Sequence, residues 1–256
     1  MKSLQLIKYL AGMCLVLALA CGCIAHSTPA VGKPDVSLRK AFPNMPFESI
    51  EQTDINGLYE VVSGQNLVYY YPEKGYLFFG EILTSAGKNL TGERKGELAA
   101  KLVKNLPLDK AVKSGNGKTE VIEFTDPDCP YCRKAYDFFK ARNDVTIYTF
   151  FAPFAHPGAI TKVWYMLNAD DRAKAYREIF EGKGAEHPAA GYSDSIKKLA
   201  QEHLDLARSV GVSGTPTFFI NGKQVVGADF QKLGKLLSEA SSRADKTAPA
   251  KIGNEK

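Results

Sequence analysis

The stretch Val121-Ile122-Glu123-Phe124-Thr125-Asp126-Pro127-Asp128-Cys129-Pro130-Tyr131-Cys132 places an apolar, strand-like run directly in front of a Cys-x-x-Cys pair. The helix-like Arg133-Lys134-Ala135-Tyr136-Asp137-Phe138-Phe139 follows it. Two cysteines at i and i+3 share one face of a helix's first turn, within the Cα separation that a disulfide tolerates. Such a pair opens and closes without refolding the chain. Pro130 suits the first helical turn, where its missing N–H has no partner to lose and its φ is already helical. A helix that starts here points unpaired backbone N–H groups at Cys129 and favours its thiolate, while Cys132 lies one turn inside. The spacing therefore reads as an attacking thiol followed by a resolving thiol.

The other cysteines sharpen this reading. Of five in 256 residues, Cys14 lies in the apolar run from Tyr9 to Ala20, behind Lys2 and Lys8, in the layout of a secretory signal. That run is too short to span a bilayer comfortably. Residues 1–22 thus read as a signal peptide or a lipoprotein signal, and the chain as exported. Ala18-Leu19-Ala20 precedes Cys21 and Gly22 precedes Cys23, so a lipid at Cys21 or Cys23 stands beside plain cleavage as an alternative. Only Cys129 and Cys132 remain for the folded body. A disulfide closing so small a loop stabilises little through chain entropy, which favours a redox role over a staple.

The apolar share of 45% is that of a globular protein, and the formal charge of +5 is dispersed. No nucleic-acid partner is expected from it. Residues 23–34 carry small residues, Pro and Gly without apolar periodicity, and read as a flexible tether. From Asp35 a short helix is stopped by Pro43. Strand-like runs follow at Phe47 to Gln52, Leu58 to Ser63, Leu67 to Tyr71 and Tyr76 to Leu83, separated by short turn signals that imply an antiparallel meander. Residues 35–92 therefore read as a small α+β domain. So small a sheet gains from a partner, which points to dimerisation, with docking on the rest of its own chain as the alternative.

Leu98, Leu102 and Leu106 recur at intervals of four from Glu93 until Pro107, and 93–112 reads as a linker helix. Ser114-Gly115-Asn116-Gly117 marks a boundary. Within 113–244, Thr119 to Thr125, the cysteine helix and Val145 to Phe151 form a β-α-β unit. Three apolar helical stripes follow, then Thr215-Pro216, strand Thr217 to Ile220, the hairpin turn Asn221-Gly222, strand Gln224 to Gly227, and a helix from Asp229 to about Ala240. This is an α/β, thioredoxin-like arrangement with a helical insertion. Residues 245–256 read as a disordered tail.

On Phe124-Thr125-Asp126-Pro127-Asp128-Cys129-Pro130-Tyr131-Cys132, on Gly211-Val212-Ser213-Gly214-Thr215-Pro216, on the helical insertion and on the small front domain, the chain resembles the periplasmic disulfide isomerases of the DsbC/DsbG family. The resemblance implies a thioredoxin fold behind a cystatin-like dimerisation domain, and a periplasmic location, free or tethered by an N-terminal lipid. It also implies a homodimer, substrates that are misfolded or oxidised exported proteins, a membrane thiol reductant of DsbD type, and no cofactor. Cys129 and Cys132 are the expected catalytic pair. Pro130, Tyr131, Thr215 and Pro216 are expected to support them, with Thr215-Pro216 in the cis form facing the cysteines.

Glu123 stands in an otherwise apolar strand six residues before Cys129. It reads either as a buried carboxylate of raised pKa that takes the proton of Cys132, or as a surface or salt-bridged acid on a half-exposed strand. His156, His187 and His203 have no spacing that gathers them with the cysteines; a helix cap or surface role is expected for His156, and no metal site. Reduction or isomerisation of incorrect disulfides is the leading activity. Beside it stand a DsbG-like reductant of single oxidised cysteines, a thiol oxidase, and a dimeric holdase.

Overall fold

The computed structural model describes residues 33–183 and 191–247. The expected leader with Cys21 and Cys23, the tether up to residue 32, His187 and the tail from 248 lie outside the described residues. The described chain falls into two compact units, one of residues 33–64 with Val68–Phe78, the other of Gln65–Leu67 with Phe79 onward.

The first unit has one helix, α1 (Pro34–Ala41), and the strands β1 (Ser49–Gln52), β2 (Tyr59–Ser63), β3 (Asn66–Tyr71) and β4 (Tyr76–Phe78), in the sheet order β1-β2-β3-β4. Pro34 occupies the first turn of α1 and so belongs to the helix, not the tether, because its fixed φ fits there. Leu38 is fully buried among Val61, Val68 and Tyr70, and the Tyr70 hydroxyl donates to Ser37 Oγ at 3.1 Å. The fourth strand is shorter than its apolar run suggests. Pairing ends at Tyr69 with Phe78, the chain turns away at Gly80 (φ +156°), and Leu83 bridges to Asn89 instead.

The second unit runs α2 (Leu90–Val103), β5 (Val112–Gly115), β6 (Thr119–Thr125), α3 (Pro130–Lys140), β7 (Val145–Phe151), α4 (Ile160–Asn168), α5 (Arg172–Phe180), α6 (Asp194–Ser209), β8 (Thr217–Ile220), β9 (Lys223–Val226) and α7 (Phe230–Thr247). Its sheet order is β5-β7-β6-β8-β9, with β6 and β7 parallel and the other pairs antiparallel. Strand alternation sends Val121, Glu123 and Thr125 to one face of β6, and Ile122 and Phe124 to the other. On the first face Val121 packs with Ala135 and Phe139 of α3 and with Leu233 and Leu237 of α7. On the second, Phe124, Phe150 and Phe219 pack with Ala99 and Val103 of α2 and Ala207 of α6. This is the thioredoxin fold, with α4 to α6 as the helical insertion.

Three elements differ from the sequence expectation. The helix expected from Glu93 begins at Leu90, because the Asn89 side chain accepts the Gly92 N–H at 2.8 Å and caps it. It packs through Ala99, Ala100 and Val103, leaving Leu102 exposed, since small residues bring the helix close to the sheet. A Cβ at Gly96 would lie 3.1 Å from the Gln224 side chain. The run 114–117 is no boundary: Val112–Gly115 is an edge strand paired with β7, and Gly117 turns the chain into β6. Finally, α7 continues to Thr247, into the segment read as tail, because no Gly or Pro interrupts it after Ser242.

Candidate active site

Strand β6 delivers Thr125 to a short loop, and the loop is built by Asp126. Its carboxylate accepts the Asp128 N–H at 2.9 Å through Oδ1, and its carbonyl accepts the Cys129 N–H at 3.1 Å. That loop hands Cys129 to the N-cap of α3, with Pro130 at the first helical position. Cys132, Ala135, Tyr136 and Phe139 then fall at i, i+3, i+4 and i+7 and form the buried stripe of the helix. Both cysteines are free thiols, Cys132 wholly buried and Cys129 7% exposed.

The two sulfurs have different surroundings. Cys129 Sγ points to the carbonyl of Thr215, 3.6 Å away, and the Thr215–Pro216 bond is cis. Cys132 Sγ accepts the Asp126 N–H at 3.4 Å. Burial pushes the Cys132 thiol well above its ordinary range, and the neighbouring Cys129 and Glu123 add to the shift. Tyr131, between the cysteines, is 58% exposed. So the first thiol lies against the Thr215-Pro216 segment, and the second is held neutral inside.

Glu123 is 2% exposed, which decides between its two readings in favour of the buried carboxylate. Its Oε2 accepts from the Thr149 hydroxyl at 2.9 Å and from the Tyr176 hydroxyl at 3.2 Å. Its Oε1 has no hydrogen-bond partner among the described residues. Desolvation raises the Glu123 pKa from 4.5 to about 7, against the opposing effect of those hydroxyl donors. Thr125 Oγ1 sits beside both Glu123 and Cys132 without meeting hydrogen-bond geometry with either. A cleft of about 230 Å³ between α3 and α5 is lined by Glu123, Tyr136, Phe139, Tyr176 and Arg177.

His156 stands at the N-cap position of the short 3₁₀ turn Pro157–Ala159 with its side chain 40% exposed, within its expected cap or surface role, and it has a further partner. It makes no side-chain cap; its Nδ1 lies 2.7 Å from Oδ2 of the fully buried Asp126. Asp128 is held in turn by Lys162 from α4, with Arg133 at 3.9 Å. Neither contact was legible in sequence, because the partners are about 30 residues apart. His203 is structural. Its Nδ1 accepts the Phe151 N–H and its Nε2 donates to the Lys110 carbonyl, both at 3.1 Å, and burial lowers its pKa to about 4.

Comparison with known proteins identifies the family and the fold. The family model described as "Disulfide bond isomerase protein N-terminal domain" matches residues 25–92, and that of a "Thioredoxin-like domain" matches residues 106–240. The chain is 31% identical over 205 residues to the probable thiol:disulfide interchange protein DsbC of Bordetella avium, covering 76% of this chain and 72% of that protein. It is 31% identical over 190 residues to the protein of the same name from Bordetella pertussis, covering 71% of this chain and 66% of the relative, just under two thirds of its length. Among solved structures, a linker-deletion mutant of Proteus mirabilis ScsC shares the fold, with a TM-score of 0.52 at 20% identity over 60% of this chain and 87% of that chain.

Proposed function

The chain belongs to the DsbC family of thiol:disulfide interchange proteins, and from that premise we propose that it reduces or isomerises incorrect disulfides in exported proteins through Cys129 and Cys132. The observation that carries this reading is the asymmetry of the thiol pair: Cys129 at a helix N-terminus against Thr215, Cys132 sealed beneath it. The Cys129 thiolate attacks one sulfur of a substrate disulfide. The other substrate sulfur leaves as a thiolate, and a mixed disulfide forms. In isomerisation that or another substrate thiolate attacks the mixed disulfide, re-forms a substrate S–S bond and releases Cys129, with no net electron transfer. In reduction the Cys132 thiolate attacks Cys129 Sγ and the substrate leaves with two electrons. The resulting Cys129–Cys132 disulfide then needs a dithiol donor of the DsbD type.

Cys132 must lose a proton before it can attack, and in this reading Glu123 takes it. Its carboxyl titrates near neutrality and its charge bears on Cys132. Pro130, Tyr131, Thr215 and Pro216 shape the face on which an extended substrate segment lies, with the exposed Tyr131 ring as its apolar contact. The protein works as a homodimer in the periplasm, free or held by a lipid at Cys21 or Cys23. No helix among the described residues is long and apolar enough to cross a membrane. A reductant role receives separate support from Pro130-Tyr131, the dipeptide that resembles DsbG.

Refolding of a scrambled multi-disulfide protein, with the state of Cys129 and Cys132 read in parallel, tests this. The wild type is expected to restore native disulfides. Cys129→Ser should lose activity by about two orders of magnitude or more, and Cys132→Ser should accumulate mixed disulfides on a non-reducing gel. A dithiol that stays reduced during turnover marks isomerisation; stoichiometric oxidation marks reduction. A wild type inert on scrambled substrate refutes the proposal.

A further inference from the structure

Two acids lie within three residues of the attacking sulfur, and both are paired. Asp126 is fully buried, and His156 Nδ1 approaches its Oδ2 at 2.7 Å while Oδ1 accepts the Asp128 N–H. Asp128 sits at the surface against Lys162 of α4, with Arg133 of α3 behind it. The partners come from separate elements: His156 from the loop after β7, Lys162 from the insertion, Arg133 from the cysteine helix itself. An unpaired carboxylate at either position opposes negative charge on a nearby sulfur, and within a few ångströms at low local dielectric that repulsion is felt in the rate of thiolate attack. Asp126 also builds the loop that sets Cys129 at the helix end, so its side chain cannot simply swing away to water, while the Asp128 carboxylate is held by its cationic partners.

We propose that His156 and Lys162 are positioning residues of the exchange reaction, which hold Asp126 and Asp128 in place beside Cys129, His156 through its hydrogen bond to the Asp126 carboxylate and Lys162 through its opposite charge. This rests on the reading of Cys129 as the nucleophile. It assigns the helical insertion a part in the chemistry, since α4 supplies the lysine and the segment leading to it supplies the histidine. It also explains how a Cys-x-x-Cys motif preceded by two aspartates keeps a reactive first sulfur.

Alkylation of Cys129 by iodoacetamide, a neutral reagent, is followed by mass spectrometry at neutral pH in two mutant cycles. Lys162→Met and His156→Phe are each expected to slow alkylation about 2- to 5-fold, the upper part of the range for an exposed charge pair. Asp128→Asn added to Lys162→Met, and Asp126→Asn added to His156→Phe, are expected to restore the rate to within about two-fold of wild type, because the harm comes from the uncancelled acid. A purely structural role would leave the double variants as slow as the singles. That result, or single variants within two-fold of wild type, overturns the proposal. If His156→Phe does not fold, as far-UV circular dichroism would show, the Lys162 cycle decides, since Lys162 and Asp128 are only partly buried. A wild type that is alkylated at Cys129 yet inert on scrambled substrate would sink the functional reading while leaving this inference to the two cycles.

Discussion

If Glu123 takes the Cys132 proton as proposed, one residue ties stability to activity. Its carboxyl titrates near 7 in the folded chain and near 4.5 when unfolded, because burial penalises the charge more than the Thr149 and Tyr176 hydroxyls relieve it. Below pH 4.5 both states carry the proton and the full contribution is present. Between 4.5 and about 7 the unfolded chain ionises first, so stability falls as pH rises; above the folded pKa the loss is complete, about 3 kcal/mol at most. Glu123→Gln keeps a polar group for the two hydroxyls and removes the titration. It should match wild type in denaturant unfolding at about pH 4 and exceed it by about 2–3 kcal/mol at about pH 8. The same variant should slow release of the mixed disulfide by Cys132, measured by rapid quench on a bound substrate. A stability gap that does not change with pH would show that the carboxyl ionises freely. A gain in stability with a loss of rate is what a buried group kept for chemistry produces.

At the scale of elements, the turn from β5 into β6 depends on one close approach. A Cβ on Gly117 would stand 1.9 Å from the Asp144 carbonyl carbon and 2.1 Å from the Val145 nitrogen, both backbone atoms of the segment entering β7. Gly117 also donates to the Val145 carbonyl at 3.0 Å and accepts from Thr146 Oγ1 at 2.7 Å, so the turn cannot move off. Gly117→Ala is expected to destabilise the second unit by about 1–3 kcal/mol, read as a lower denaturant midpoint with unchanged slope. This turn is also where the sequence misleads. Ser114-Gly115-Asn116-Gly117 has the composition of a boundary, and β5 has one fully buried residue, Val112, too little to show period-2 patterning. Strands β6, β7 and β8 were legible to the residue, because each is a β-branched and aromatic run bounded by turn signals or by the cysteine motif. The thiol pair was legible for the same local reason. The pairing of His156 with Asp126 was not, since it joins two loops that only the parallel packing of β6 and β7 brings together. Glu123 lay between these cases: its oddity in an apolar strand was visible, but its burial follows from α5 covering that face.

For the whole molecule the open question is what covers the edges of the front sheet. Its two edges differ. Strand β1 carries Glu51 and Gln52, both exposed, and charge on an edge discourages pairing with another chain. Strand β4 is three residues long and presents Tyr76 and Phe78, 57% and 49% exposed. Behind it lies a core anchored by one helix residue, Leu38, and a few strand residues, small for a unit that must stand alone. Pairing of two protomers along β4 would satisfy the strand's free backbone groups and bury both rings. Lysine at both positions, Tyr76→Lys with Phe78→Lys, removes about 3–5 kcal/mol of apolar burial per protomer edge, on both edges of the pair, and adds repulsion, so the dimer should weaken by about 10⁴-fold or more. Light scattering on a sizing column at micromolar concentration should then report the monomer mass. The thiol pair lies in the other unit, so reaction with a small disulfide should persist at its original rate. If rearrangement of a scrambled protein needs two protomers on one substrate, it should fall sharply. A variant that remains dimeric would place the interface away from β4. One that becomes monomeric and still isomerises at full rate would show that a single protomer suffices.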